Sequence, residues 1–265
     1  MAKVVLITGA SAGIGRATAD RLHTAGWKVV GASRRATSSG GWQPLQMDVD
    51  DDEDTSRGVA GVVREHGRLD AVVASAGWGL AGPVELTPID LAKAQVETNF
   101  WGVVRVVQSA LPAMRKQRAG RLVLVSSIGG LIALPFQAFY SASKYALEGY
   151  AEGLAYEVEP FGVHVTLVEP GNIRTDFTAS RRTIDEDAGG AYSDAATKAI
   201  TLMEKDEMNG VPPGSAAAAI QRVLEARHPR RRVSVGKVGE RIGIPAKRLL
   251  PHRLFERAAA SSLGV

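Results

Sequence analysis

The chain has 265 residues, of which 45% are hydrophobic and 23% charged, values typical of a soluble globular protein. This length suits one large α/β domain with a substantial core. The absence of cysteine excludes disulfides, thiolate metal sites and a cysteine nucleophile. The five histidines lack the spacing of metal ligands, so we predict no catalytic metal.

The net charge of +4 is unevenly distributed along the chain. Residues 227–257 hold ten Arg or Lys against two Glu, so the excess of positive charge lies near the C-terminus. A solvated basic face is the default explanation, and an anionic membrane surface or a phosphorylated carrier is the alternative. No stretch approaches the roughly 20 apolar residues of a membrane span, and the apolar run after Lys3 is too short for a signal peptide. We therefore predict a cytoplasmic location.

The N-terminal segment predicts a strand, a glycine-rich turn and a helix. A β-branched run ends at Thr8, and Gly9, Gly13 and Gly15 follow before a helical pattern that stops at Gly26. Glycines allow the backbone to approach a pyrophosphate, whose charge the helix N-terminus favours. The spacing differs from Gly-x-Gly-x-x-Gly. The alternative is a glycine-rich turn that connects strand and helix and binds nothing. The position of the turn directly after the first strand favours a phosphate site.

The end of the second predicted strand indicates which dinucleotide would bind. NAD-binding folds carry an acid there, about 20 residues after the glycines, for the ribose 2′-hydroxyl. Here Ser33, Arg34 and Arg35 occupy the place, and a guanidinium suits a 2′-phosphate. The alternative is that the arginines are simply solvated. The absence of an acid favours NADP over NAD.

The remaining pattern alternates strands with helices. Strands are predicted over residues 3–8, 27–33, 44–49, 69–77, 121–127, 164–171 and 232–235. This alternation predicts an α/β fold, a single doubly wound Rossmann-type domain whose mostly parallel seven-stranded sheet has helices on both faces. The one domain would span residues 1–265, with a substrate lid at about 176–212 and a basic C-terminal extension at about 227–265. The lid segment is polar, with acids at 185–187 and glycines at 189–190.

Four side chains are candidates for chemistry. Tyr140 and Lys144 share one helix face, where a cation would favour the phenolate and move the tyrosine pKa below about 10. Ser127 lies at a strand end, where open α/β sheets bind ligands. Asn99 lies among apolar residues of a long helix that Thr87 and Pro88 are predicted to begin. Taken alone, a Tyr-x-x-x-Lys pair is more often an aromatic beside a solvated lysine, so the prediction depends on the full set.

The set resembles the short-chain dehydrogenase/reductase family. The resemblance covers most of residues 3–180 and rests on the motifs Thr8–Gly15, Asp48-Val49, Ala76-Gly77, Asn99, Ser127, Tyr140–Lys144 and Pro170-Gly171. Within the family, the segments 79–84 and 168–175 are most similar to the branch of 17β-hydroxysteroid and retinol dehydrogenases.

The resemblance implies a role for each matching position. Tyr140 would be the general acid and base, Lys144 would lower its pKa and hold the nicotinamide ribose, Ser127 would bind the substrate oxygen, and Asn99 would position a water. The implied cofactor contacts are Gly9, Ser11, Gly13, Ile14, Gly15, Arg34, Asp48, Val49, Ala76, Gly77, Tyr140, Lys144, Pro170, Gly171, Ile173 and Thr175. The implied cofactor is NADP (NADPH).

Two positions depart from the family pattern. Ala74-Ser75 replaces two asparagines that brace the sheet, and Ala12 replaces the basic residue that many NADP-preferring members carry in the glycine turn. The NADP prediction therefore depends on Ser33 and Arg34.

The expected activity is interconversion of a secondary alcohol and a ketone on an apolar, steroid-, retinoid- or lipid-like molecule. Six residues are expected to line an apolar pocket: Trp78, Leu80, Leu131, Leu134, Phe136 and Phe177. A 3-oxoacyl reductase and a non-catalytic NADP-binding sensor or scaffold are the alternatives. The expected partners are a small-molecule substrate and further copies in a homodimer or homotetramer, with no nucleic acid.

Overall fold

Seven parallel strands form the central sheet of the protein. The computed structural model describes residues 2–35, 40–184 and 190–262. In spatial order the strands are β3 (Gln43–Gln46), β2 (Lys28–Ser33), β1 (Val4–Thr8), β4 (Ala71–Ala74), β6 (Gly120–Val125), β7 (Val163–Pro170) and β9 (Arg232–Val235). All six neighbouring pairs are parallel. The predicted seven-stranded sheet is confirmed.

Helices cover both faces of this sheet. They are α1 (Gly13–Thr24), α2 (Asp52–His66), α3 (Ile89–Val96), α4 (Gly102–Gln117), α5 (Ala138–Val158), α6 (Phe177–Ser180), α7 (Ser193–Met208), α8 (Pro213–Glu225), α9 (Val238–Leu249) and α10 (His252–Ser262). Helices α2, α4 and α5 pack on one face, while α1 and α8 pack on the other. The doubly wound arrangement is therefore confirmed.

The strand sequences explain why both faces are covered. In β1, Val4 and Leu6 enter the core beneath α2, α4 and α5, while Val5 and Ile7 enter the core beneath α1 and α8. Successive strand side chains point to opposite faces, so an uninterrupted apolar run buries apolar groups on both sides. The carboxyl ends of β1, β4 and β6 consequently meet at one edge, where ligands bind in open α/β sheets.

Several helix boundaries differ from the predicted ones. Pro88 occupies the N-cap of α3, and Thr87 instead donates its hydroxyl to the Pro83 carbonyl at 2.7 Å. Helix α3 continues through a π-helical turn at Glu97–Trp101 into α4, which extends past Pro112. At the acidic start of α2, Asp51 accepts a hydrogen bond from the Asp54 N–H at 2.7 Å.

Two further features lie outside the main sheet. A two-stranded parallel sheet joins β5 (Leu80–Ala81) to β8 (Arg182–Thr183) and so ties the end of the β4 loop to the predicted lid. Of that lid, the structure describes α6, β8 and α7. The predicted acidic and glycine-bearing positions Asp185, Glu186, Asp187 and Gly189 lie outside the described residues.

Candidate active site

The glycine turn after β1 forms a narrow cradle at the start of α1. Gly9 and Gly13 adopt left-handed φ values of 68° and 55°, which residues with a side chain rarely adopt. A Cβ on Gly15 would lie 2.3 Å from the Gly9 carbonyl oxygen. No side chain caps α1, so its first N–H groups remain available to an anion. This geometry fits a pyrophosphate.

Arg34 and Asp48 lie at the neighbouring strand ends and line the same pocket as the glycine turn. Arg34 is exposed at the end of β2. The Ser33 hydroxyl turns back to donate to the Arg35 carbonyl at 2.5 Å. Asp48 accepts a hydrogen bond from the Asp50 N–H at 3.1 Å, which fixes one carboxylate oxygen. This end of the pocket therefore combines an exposed guanidinium with a carboxylate.

The strand end of β4 is held by side chains from elsewhere in the chain. The Thr8 hydroxyl accepts hydrogen bonds from the N–H groups of Ser75 and Ala76, at 3.1 and 3.2 Å. A Cβ on Gly77 would lie 2.9 Å from the Asn99 Oδ1. Thr8 thus braces a segment in which two expected asparagine amides are missing.

Asn99 lies in the π-helical turn and is fully buried. Its Oδ1 accepts from the Trp78 N–H at 3.0 Å, and its Nδ2 donates to the Trp78 carbonyl and to the Ser143 hydroxyl. A π turn shifts a residue out of the regular helical phase and often occurs at functional sites. Here it directs the amide of Asn99 at the backbone beside Gly77.

Tyr140 and Ser127 meet at the base of the pocket. The Tyr140 ring is half-buried, with its centroid 6.0 Å from that of Phe177. Burial raises the pKa of Tyr140, although a hydrogen bond with Ser127 and the charge of Arg181 oppose the rise. The Ser127 hydroxyl is fixed by accepting from the Gly129 N–H at 2.9 Å and donating to the Pro170 carbonyl at 3.4 Å. Tyr140 is therefore a neutral phenol at pH 7, able to donate a proton.

Lys144 lies one turn further along α5 and is buried. Its ammonium donates to the Val125 carbonyl at 3.0 Å and lies 5.9 Å from the centroid of the Tyr140 ring. Burial lowers the pKa of Lys144 to about 8, while the carboxylate of Glu148 raises it. Lys144 is not among the groups that shift the pKa of Tyr140, on which burial has the largest effect. The lowering of that pKa by Lys144 stays a prediction.

The turn after β7 is held by a residue that the sequence did not identify. The carboxylate of Glu240, in α9, accepts from the Asn172 side chain at 2.9 Å, from the Asn172 N–H at 3.3 Å and from the Lys237 N–H at 3.0 Å. A Cβ on Gly171 would lie 2.2 Å from a Glu240 oxygen. Nothing in the local sequence links positions so far apart.

One pocket of about 910 Å³ connects these parts. It is lined by every predicted cofactor position and by Ser127, whereas Asn99 lies behind its wall. Of the six predicted apolar residues, Trp78, Leu134 and Phe177 line it, and the other three do not. The predicted lid contributes Met203, Asp206 and Glu207 of α7. Unpredicted lining comes from α9 and α10: Gly239, Glu240, Gly243, Phe255, Ala258 and Ala259. Within the described ranges no group of three potential metal ligands comes together.

Known proteins resemble the chain over most of its length. The family model described as short chain dehydrogenase matches residues 3–186, more than half of the chain. The 3-ketodihydrosphingosine reductase of Bacteroides thetaiotaomicron is 39% identical over 259 residues, 97% of this chain and 96% of the relative. The estradiol 17-beta-dehydrogenase 1 of Rattus norvegicus is 38% identical over 214 residues, 74% of this chain and 61% of the relative. This chain therefore matches less than two thirds of the second relative.

A solved structure agrees with the fold. The crystal structure of a short-chain dehydrogenase from Streptomyces avermitilis has a TM-score of 0.83 to this chain and 32% identity, covering 98% of each.

Proposed function

Because the chain belongs to the short-chain dehydrogenase family, we propose that it is an NADP(H)-dependent oxidoreductase that interconverts a secondary alcohol and a ketone on an apolar molecule. The observation that carries this proposal is the continuous pocket from the glycine turn to the Ser127–Tyr140 pair. A dinucleotide held by the turn can extend along this pocket to the phenol. The proposal includes one domain, residues 1–265, whose segment 176–212 covers the substrate.

The cofactor site favours NADP. The glycine cradle can accept the pyrophosphate at the N-terminus of α1. Arg34 is exposed in the same pocket, where a guanidinium can form two hydrogen bonds with a 2′-phosphate. No carboxylate replaces Ser33 at the place where NAD-binding folds bind the 2′-hydroxyl. A bound nicotinamide supplies or accepts the hydride at the substrate carbon.

The side chains at the base of the pocket handle the proton. Ser127 and Tyr140 bind the substrate oxygen with their hydroxyl groups. In the reducing direction Tyr140, neutral because burial raises its pKa, donates its proton to that oxygen. The ammonium of Lys144 then stabilises the phenolate that remains. Glu240 and the Asn172 backbone keep the turn beside the pocket in place.

The substrate is a ketone or secondary alcohol on an apolar skeleton. Trp78, Leu134, Phe177 and Met203 supply apolar surface beside Tyr140. The two relatives are named for 3-ketodihydrosphingosine and for estradiol. Both names describe large, mostly apolar molecules, and the relative that spans the full chain favours the long-chain one.

The decisive experiment measures NADPH oxidation with a panel of ketones that includes 3-ketodihydrosphingosine and estrone. We expect turnover by the wild type and a loss of 100-fold or more in kcat for Tyr140→Phe, about the range for a lost general acid, in a variant that still binds NADPH. Unchanged kcat in Tyr140→Phe would refute the role of the phenol. Binding of NADPH without turnover of any ketone would indicate a sensor.

Cofactor choice is tested separately by fluorescence titration. Arg34→Ala should weaken NADPH binding by about tenfold to 100-fold, the value of one or two charge-assisted hydrogen bonds, and leave NADH binding unchanged. The reducing, cytoplasmic setting and the homodimer or homotetramer stay predictions.

A further inference from the structure

Helix α9 presents an apolar stripe to solvent. Val238, Ile242 and Leu249 are 69%, 59% and 82% exposed. At 100° per residue these three side chains and Pro245 fall within about 60° of one another around the helix. No residue of α9 is buried. A monomeric domain rarely leaves such a contiguous apolar stripe without a partner.

Arginines flank this stripe. Arg241 and Arg248 are seven residues apart on α9, lie along one edge of the stripe and are exposed. Among the described residues neither has a carboxylate within ion-pair distance. A groove of about 950 Å³ continues the stripe between α8 and α9, with Val223 and Ile242 in its wall and Arg222 and Arg230 at its sides. Apolar surface and uncompensated positive charge therefore coincide.

Helices α9 and α10 form part of the pocket wall. Gly239 and Gly243 of α9, and Phe255 and Ala258 of α10, line the pocket that contains Tyr140. On α9 these glycines lie beside the exposed stripe, not within it. Leu254 of α10 adds a further apolar side chain that is 56% exposed. Helices α9 and α10 thus line the pocket on one side and present apolar side chains to solvent on the other.

We propose that α9, with the adjoining groove, docks on an anionic lipid bilayer and places the pocket wall formed by α9 and α10 at the lipid surface. A helix with an apolar stripe and flanking arginines lies in the interface plane of such a bilayer. Within the described part of the chain, no helix is both long and apolar enough to cross a membrane, so the contact is peripheral. An apolar substrate could then enter the pocket from the lipid.

Charge distinguishes this occupant from a second copy of the chain. A two-fold dimer with antiparallel copies of α9 would place Arg241 of one copy near Arg248 of the other. An anionic headgroup neutralises them instead. Ile242 and Leu249 add to the binding free energy only when they are transferred out of water, and the acyl region of a bilayer can accept them.

The test measures binding of the full chain, without cofactor or substrate, to vesicles. We expect sedimentation with phosphatidylcholine vesicles that contain about 30% phosphatidylserine, weaker sedimentation with pure phosphatidylcholine, and loss of binding as salt rises from about 0.05 to 0.5 M. Because turnover is not measured, this result is independent of the proposed oxidoreductase activity.

Two double variants separate the contributions. R241Q/R248Q should weaken binding about 25-fold, fivefold per arginine. I242S/L249S should weaken it at least 100-fold, tenfold or more per side chain. Reduction of a water-soluble ketone should be unchanged in both, since none of the four residues lines the pocket. The matched controls are R64Q/K116Q, on α2 and α4, and I89S, on α3, all at exposed positions. They should bind as the wild type does.

Three results would overturn the proposal. The first is no sedimentation with the anionic vesicles. The second is wild-type binding by I242S/L249S. The third is a dimer in sedimentation velocity that I242S/L249S converts to monomer, which would show that a second copy covers the stripe.

Discussion

Raising the pH above 8 is expected to discharge Lys144 and to slow carbonyl reduction. Burial lowers the pKa of this lysine from 10.5 to about 8. A group that must be protonated leaves kcat/KM constant below its pKa and lowers it about tenfold per pH unit above it. The pH profile of NADPH-dependent ketone reduction should therefore bend near pH 8. At pH 10, kcat/KM should be about 100-fold lower than at pH 7.

The carboxylate of Glu148 determines where the profile bends. It is the group that raises the pKa of Lys144 against burial. Glu148→Gln removes that charge, so the pKa of Lys144 falls and the bend moves to lower pH by about one unit, the lower end for a close opposite charge. Glu152→Gln is the matched control. Glu152 also pairs with Arg232 but does not act on Lys144, so its bend should not move.

The same pKa predicts how stability changes with pH. The folded pKa lies below the unfolded value, so the unfolded chain holds more protons between about pH 8 and 10.5. The free energy of unfolding therefore rises with pH across this window. Below pH 8 the full cost of holding the charged Lys144 in the folded protein is present. The gap corresponds to about 3 kcal/mol. Lys144→Met should be more stable than the wild type at pH 7 by up to this amount in urea unfolding, and the difference should vanish above pH 10.5.

Two results would refute the reasoning. A kcat/KM profile that stays flat to pH 10 would show that the charge of Lys144 is not needed. A bend that stays in place in Glu148→Gln would show that another group titrates.

Three further changes test the glycine turn, the contact of Glu240 with Asn172, and the ion pairs of Arg232. Gly15→Ala should abolish NADPH binding that a titration can detect, because its Cβ would clash with the Gly9 carbonyl oxygen at 2.3 Å. Gly149→Ala is the control. It has open space around it in α5 and should raise the free energy of unfolding in urea by about 0.5–1 kcal/mol. Glu240→Ala should lower the free energy of unfolding by about 1–3 kcal/mol, because it leaves the Asn172 donors unpaired, and should raise the KM for NADPH. The control Glu256→Ala, at an exposed position of α10, should change neither quantity. Arg232→Met should cost about 3–5 kcal/mol in urea unfolding, because it strands the buried carboxylates of Glu148 and Glu169, and Arg230→Met should cost little. Wild-type stability in Arg232→Met would contradict the role of this ion-pair cluster.

The sheet could be predicted because its signal is local. Runs such as Val4–Thr8 and Ala71–Ala74 are apolar throughout and end in glycine turns, which is the pattern of a strand buried on both faces. The order of strands and motifs then brings Ser127, Tyr140 and the glycine turn to one edge. These residues do line one pocket.

The missed features depend on contacts between distant positions. Glu240 binds Asn172, 68 residues away, and β5 has only two residues, too few for any periodicity. Phe136 was expected in the pocket wall, but its backbone adopts a left-handed φ of 56°, so the side-chain direction does not follow from the pattern. The i, i+4 spacing predicts that Lys144 lies beside Tyr140, and its ammonium lies 5.9 Å from the centroid of the Tyr140 ring. Spacing says nothing about hydration, and burial raises the pKa of Tyr140.

The π-helical turn at Glu97–Trp101 has a consequence for how this chain can evolve. Such a turn contains one residue more than an α-helical turn would. Losing that residue would join α3 and α4 into one regular helix while each keeps its present packing face. The cost would fall on Asn99, whose amide would rotate away from Trp78. At this point in the chain, deleting one residue would make the helix regular and would displace Asn99 from its site, an outcome that a substitution does not produce.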